Sequence, residues 1–238
     1  MRQLRALLRH RAGLVRLRTQ LRNRIHAVAA DHGYDRSASY WTGPGRGWLA
    51  ELDLPPASRE IVTDCLAVID GLAPVIDRID GELHQHARGD PRVTVLRTLP
   101  GVGEFTALVM VAEIGDISRF GSARKLASWA GLTPTVRGSD LKVRHGHISK
   151  QGSVWLRWVL NQAAQTAKRS PQFAATYSSI AKRRGKKIAA IAISRKLLTR
   201  AYHLLSAAQA AQAISAAGDA PADQGEGHQA PGTLATSA

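Results

Sequence analysis

The chain has 238 residues, with 33 lysines and arginines against 18 acids, a formal charge of +15 and a sequence pI near 11.0. A charge of this size says nothing about fold but favours polyanionic partners. One cysteine, Cys65, excludes an internal disulfide or a cysteine-built zinc centre, and no run of 18 apolar residues is present to cross a membrane. The basic start lacks the apolar stretch of a signal peptide, so a reducing cytoplasm is the expected setting.

The charge is clustered. Met1 to Ala30 holds eight arginines and no acid, and Lys182 to Arg200 holds eight lysines and arginines, again with no acid. Residues 1–30 read as one helix, with Leu7, Leu14, Leu21 and Val28 recurring every seven residues and arginines on the other faces. A helix that begins at the first residue with no cap before it reads as the continuation of a longer chain. Residues 31–57, with Trp41, Gly43, Pro44, Gly45, Gly47 and Trp48, are too rich in glycine and proline for a long helix, and their role is not readable.

A second heptad segment follows Pro55-Pro56, with Ser58 as candidate N-cap. Val62, Cys65, Ile69, Leu72, Ile76, Ile79 and Leu83 are spaced alternately three and four apart, an a/d seam. Glu60, Asp64, Asp70, Asp77, Asp80 and Glu82 make this helix acidic, and Pro74 should kink it. A basic and an acidic heptad helix predict an antiparallel coiled-coil hairpin, paired within one chain or across a dimer; two core helices of a globular bundle are the alternative.

The expected fold class is mainly α. A coiled-coil segment spans 1–90, a compact helical domain 91–206 and a disordered tail 207–238. Within the compact domain helices are predicted near 92–99, 104–114, 121–130, 152–168, 172–183 and 186–206. Residues 133–150 are expected to be irregular, with a short hairpin at 141–148.

Five places offer chemistry. Leu99-Pro100-Gly101-Val102-Gly103 resembles a helix-hairpin-helix turn, in which the N–H groups of Gly101, Val102 and Gly103 would hold a nucleic-acid phosphate without reading sequence. An ordinary glycine turn between packed helices fits the same residues. Arg137-Gly138-Ser139-Asp140 offers a hydroxyl nucleophile, with Arg137, Lys142 and Arg144 to neutralise a phosphate and Asp140 or His145 to orient the hydroxyl; a plain loop serine is the commoner case. His145 and His147, without a third ligand, make no metal site, and phosphate or base contact suits them better. Ser149 and Lys150, in Ser149-Lys150-Gln151-Gly152-Ser153, can cap the next helix or bind phosphate, so Ser149 rivals Ser139 as nucleophile. Arg183, Arg184, Lys186 and Lys187 form a basic break between helices, either a backbone-contact patch or a solvated turn.

Together these blocks resemble the C-terminal part of bacterial insertion-sequence transposases of the IS one-ten / one-one-six / nine-oh-two family. The marks are Leu21-Arg22-Asn23-Arg24-Ile25-His26, the Leu-Pro-Gly-Val-Gly turn, Ala112-Glu113-Ile114-Gly115, Gly131-Leu132-Thr133-Pro134, His147 to Gly152, and Arg184-Gly185-Lys186-Lys187 with Ala192 to Leu198. The resemblance implies a DNA transposase or recombinase working with an element-encoded guide RNA. It further implies an N-terminal RuvC-like domain with magnesium-binding carboxylates, a coiled coil and self-association through it, and a serine that becomes linked to DNA. Ser139 occupies that serine's position, five residues beyond Pro134.

The RuvC-like domain has no counterpart in this sequence. A truncated copy, a misplaced start codon or a partial reading of an element is therefore expected, binding DNA in the bacterial cytoplasm at the nucleoid, with no cofactor of its own and magnesium only where that domain is present. A non-catalytic helix-hairpin-helix binding module is the alternative, and a coiled-coil remnant of a decayed gene a third.

Overall fold

The computed structural model describes residues 1–139 and 142–218; at 137, 139, 142–145 and 214–218 it describes the backbone alone. The protein is mainly α, with nine helices and one two-stranded sheet among the described residues.

Helix α1 (Arg2–Asp31) and helix α3 (Pro56–Arg88) run alongside each other in opposite directions. Leu8, near the start of α1, shares a core with Ile79, Leu83 and Ala87 at the end of α3. Ile25 and Ala29, at the end of α1, pack with Val62, Cys65 and Ile69 at the start of α3. The α3 seam is therefore covered by α1 of the same chain. On α1 the inward positions are Leu8, Ala12, Ile25 and Ala29, while Leu7, Leu14, Leu21 and Val28 are only half-buried. The seven-residue leucine count picked the flank of the stripe, because the alanines beside it carry too little hydrophobic signal to mark its centre. Helix α3 continues through Pro74, and its cap is Pro55; Ser58 instead hydrogen-bonds His32 Nε2 at 2.8 Å.

The glycine- and tryptophan-rich insert closes the outer end of this pair. It forms a short helix, α2 (Gly43–Glu51), started by Thr42, whose Oγ1 accepts from the Gly45 N–H. Tyr40, Leu49 and Leu52 complete the second core, and Arg46 makes a two-pronged pair with Asp70 at 2.7 and 2.5 Å.

The main core is built around helix α5 (Glu104–Ile114), in which every residue from Ala107 to Ile114 is buried. A helix apolar on all sides belongs inside a bundle. Its one buried acid, Glu113, is met by Arg9 Nη2 at 2.9 Å, and the Ala112 carbonyl in its last turn accepts from Arg5 Nε at 2.7 Å. The first arginines of α1 thus serve the negative end of α5. Around it lie α4 (Pro91–Leu96), a single 3-10 turn (Ile117–Arg119), α6 (Ala123–Trp129), α7 (Val154–Ala167), α8 (Ala174–Arg184) and α9 (Lys186–Gly218). Helix α9 runs twelve residues past the predicted end at 206; beyond residue 218 the expected tail lies outside the described residues.

Residues 133–150 are more regular than expected. Strand β1 (Pro134–Ser139) pairs antiparallel with β2 (Lys142–Ile148), and the register sets Val136 opposite His145, Arg137 opposite Arg144 and Ser139 opposite Lys142. Two strands form rather than one irregular stretch, because Thr135, Val136 and Val143 are β-branched and favour extended backbone.

Candidate nucleic-acid interface

Two glycine-containing turns lock together at the base of the hairpin. The Ser149 N–H donates to the Thr133 carbonyl at 2.9 Å and the Lys150 N–H to the Gly131 carbonyl at 3.2 Å. Gly131 has φ +72° and its missing side chain would overlap the Gln151 backbone, so only glycine fits there. Lys150 is the one non-glycine residue at positive φ, +57°, among the described residues. Such a conformation costs free energy and persists where the surroundings impose it. Arg157 fastens the pair: its Nη1 donates to the carbonyls of Ala130 and Gly152 at 3.2 Å each, and also to Gln151.

This clasp forms one wall of an open groove of about 860 Å³. Leu132, Pro134 and Ile148 from the clasp and hairpin face Ile188, Ile191 and Ala192 of α9 across an apolar floor. His147, Lys150, Arg184, Lys187, Arg195 and Lys196 stand around it, and no acid is among the described residues that line it. Five fixed positive charges around an apolar floor make a site for a polyanion with apolar surface of its own, and nucleic acid has both. A smaller cleft of about 310 Å³ lies on the other side of Lys187 and Ile191, lined also by Asn161, Gln165, Lys168, Tyr177 and Lys186.

The predicted residues divide accordingly. Lys150, Arg184 and Lys187, up to 37 positions apart in sequence, meet on the groove, and Lys186 lines the neighbouring cleft. Arg183 is exposed and lines neither. Sequence reasoning missed Arg195, Lys196 and Thr199. Their signal was present: Lys187, Ile191, Arg195 and Thr199 recur every four residues, as do Ile188, Ala192 and Lys196, so two adjacent ridges of α9 face the groove.

The Gly101–Gly103 turn lies apart from the groove lining. Gly101, at φ +76°, presses on the Ala163 carbonyl of α7, and Val102 is buried in the main core. Glu104, in the first turn of α5, lies 3.0 Å from His84 Nδ1 and 3.7 Å from Arg97 Nη1, so a carboxylate already sits at this helix N-terminus.

Ser139 ends β1, about 16 Å along the strand from the Pro134 that lines the groove. Its side chain, those of Arg137, Lys142, Arg144 and His145, and the whole of Asp140 lie outside the described residues. The Ser149 hydroxyl is sealed from solvent with no hydrogen-bond partner among the described residues, a poor setting for a nucleophile. Nor does it cap a helix; Ser153 does, accepting from the Leu156 N–H at 3.2 Å.

Among the described residues, no three His, Cys, Asp or Glu side chains come together to hold a metal. Asp70, Asp80, Asp90 and Glu113 are each taken by an arginine, namely Arg46, Arg11, Arg92 and Arg9. A carboxylate neutralised by a guanidinium offers little to magnesium, so these residues do not fit the magnesium centre that the resemblance implies. No helix among the described residues is long and apolar enough to cross a membrane.

Comparison with known proteins matches residues 93–178, which include the clasp and both strands, to the description "Transposase IS116/IS110/IS902 family". A "Probable family 20 transposase" of Pseudomonas aeruginosa is 27% identical over 83% of this chain and 62% of its own length. The "Transposase for insertion sequence element IS1111A" of Coxiella burnetii is 29% identical over 80% of this chain and 55% of its own. A "Pilin gene-inverting protein" of Moraxella bovis is 33% identical over 55% of this chain and 43% of its own. The chain thus spans about half the length of the curated relatives it matches. With the motifs in order along a segment built around the groove wall, residues 93–178 match the IS116/IS110/IS902 transposase family, and most of the chain is similar to proteins named as transposases.

Proposed function

We propose that this chain is the nucleic-acid-handling part of an insertion-sequence transposase, and that the groove between the clasp and α9 holds the DNA backbone. The observation that carries this reading is the convergence of Lys150, Arg184, Lys187, Arg195 and Lys196 on one groove with no acid in its described lining. Each phosphate neutralised releases counterions, so log affinity for duplex DNA should fall linearly with log salt, by about 0.9 per contact. Lys187→Ala and Arg195→Ala should each reduce that slope by roughly one contact, measured by fluorescence anisotropy at several salt concentrations. A slope unchanged in both variants rejects the groove.

In the same reading Ser139, at the hairpin's end, is the nucleophile. Its Oγ attacks a phosphodiester phosphorus, a phosphoserine ester forms, and the displaced sugar oxygen takes up a proton. Lys142 stands opposite it in the strand register. Magnesium belongs to a RuvC-like domain outside this chain, and an element-encoded guide RNA directs the assembly. Fused behind such a domain from a relative and supplied with its guide, the chain should form a DNA adduct that Ser139→Ala abolishes and Ser149→Ala does not. An adduct surviving in Ser139→Ala removes Ser139 from the role.

The pairing of Asp70, Asp80, Asp90 and Glu113 with arginines favours a second reading, in which the chain by itself binds DNA without cutting it. Cleavage by the unfused chain would exclude that. Self-association belongs to the proposal as well, but through surfaces other than the α1–α3 seam, such as the faces bearing exposed Leu17 and Val68.

A further inference from the structure

Five of the eight arginines of α1 fall into two sets. Arg5, Arg9 and Arg11, in its first half, are engaged with Ala112, Glu113 and Asp80. The second half carries Arg18 and Arg22 on one face, four residues apart, beside the aromatic insert. Arg22 lies over the ring of Trp41 at 4.7 Å, and its Nε is shut off from solvent with no acceptor among the described residues. Its surroundings disfavour its own charge: burial comes first, then the like charges of Arg18 and Arg46, and together they lower its pKa. Arg46 is committed to Asp70, so the described surroundings leave Arg22 without a counter-ion.

A guanidinium that is stacked on an indole, short of an acceptor and pressed by like charge is a poor structural element and a good anion receptor. Arg22 is half-buried with its Nε sealed, which leaves its two terminal nitrogens as the donors that an oxyanion can reach. The fork of the guanidinium suits a phosphate, and the stack on Trp41 fixes its plane in advance. His26 stands edge-on to the same Trp41 ring at 5.4 Å, a third donor-bearing group beside it.

We propose that Arg22 and Arg18, with Trp41 as platform, form a second phosphodiester-binding site at the outer end of the α1–α3 pair. This rests on nucleic acid being the partner of the groove. It goes further in making the contact bipartite. Arg22 lies fourteen residues, about 21 Å of helix, beyond the Leu8 that enters the main core, so the stiff helix pair would hold two backbone contacts apart.

The test is duplex-DNA binding by the full chain across a salt series, comparing Arg22→Gln, Arg18→Gln and Lys187→Ala. Arg22→Gln and Arg18→Gln should each weaken binding several-fold and lower the salt slope by about 0.9. Arg18→Gln keeps the test valid if Arg22→Gln lowers the melting temperature. A fluorescence change on adding DNA that disappears in Trp41→Phe should accompany binding. Lys187→Ala flattening the slope while both arginine variants keep it overturns this site and leaves the groove standing. The reverse result rejects the groove and overturns the bipartite contact with it. Inorganic phosphate producing the Trp41 signal where the duplex does not overturns the proposal in favour of a free-phosphate site.

Discussion

At the scale of single residues, Asp70, Asp80, Asp90 and Glu113 each hold an arginine in place. Asp90 shows this best. Its side chain caps α4, accepting from the Arg92 N–H at 2.9 Å, and also pairs with the Arg92 guanidinium at 2.6 Å. Burial pushes the Asp90 carboxyl up, but the hydrogen bonds and charge of Arg92 outweigh it and hold the group below its ordinary range. The sign of the linkage follows. A depressed folded pKa gives stability that is fully present above the unfolded value, near 3.9, and is lost as pH falls through the lower folded value. Asp90→Ala should cost about 0.5–2 kcal/mol at neutral pH, the range for a lost cap. The gap from the unmodified chain should narrow below about pH 4, because the unmodified chain then loses the same carboxylate. Urea unfolding at pH 7 and pH 3 measures both; a gap that widens in acid contradicts the assignment.

At the scale of elements, the α1–α3 pair shows how one apolar seam admits two assemblies. Its period makes Val62 to Leu83 an a/d stripe, and a stripe needs a partner without saying which chain supplies it. Here α1 supplies it, and Ile69 and Ile76 are 4% and 2% exposed in the single chain. Ile76→Asp should therefore destabilise the fold itself, by at least about 3 kcal/mol from lost burial and an unpaired buried charge. Val68→Asp, at an exposed position on the same helix, should change stability by only about 0.5 kcal/mol. Unfolding curves and light scattering together decide. If Ile76→Asp keeps its stability and instead halves the particle mass, the seam joins two chains.

At the scale of the whole molecule, the +15 charge is divided by use. One part is internal: Arg5, Arg9, Arg11, Arg46 and Arg92 join helices to helices or caps. Another is gathered around the groove by α8, α9 and the clasp, where nothing acidic in the described lining answers it. Like charges held this close repel, and the folded core holds them together at the cost of some stability. A polyanion would relieve that repulsion, so duplex DNA should raise the melting temperature at low salt and lose that effect as salt rises.

The sequence by itself determined the local elements, the sign of the surface and the family resemblance. Helix period, glycine breaks and β-branched runs act over a few residues, so most helices of the second half lie within two residues of their predicted ends. The motifs of the resemblance are contiguous strings and needed no fold to be read. What required tertiary structure was every statement about who faces whom. Lys150 joins Arg195 only because the clasp sets the hairpin base against α9, and the four-residue step on α9 marks a face without naming its neighbour. That Gly101 packs closely on α7 and that the Ser149 hydroxyl is sealed from solvent could be read from neither string. Local conformation is set by neighbours in the chain, whereas a binding surface is what the packed core leaves exposed together.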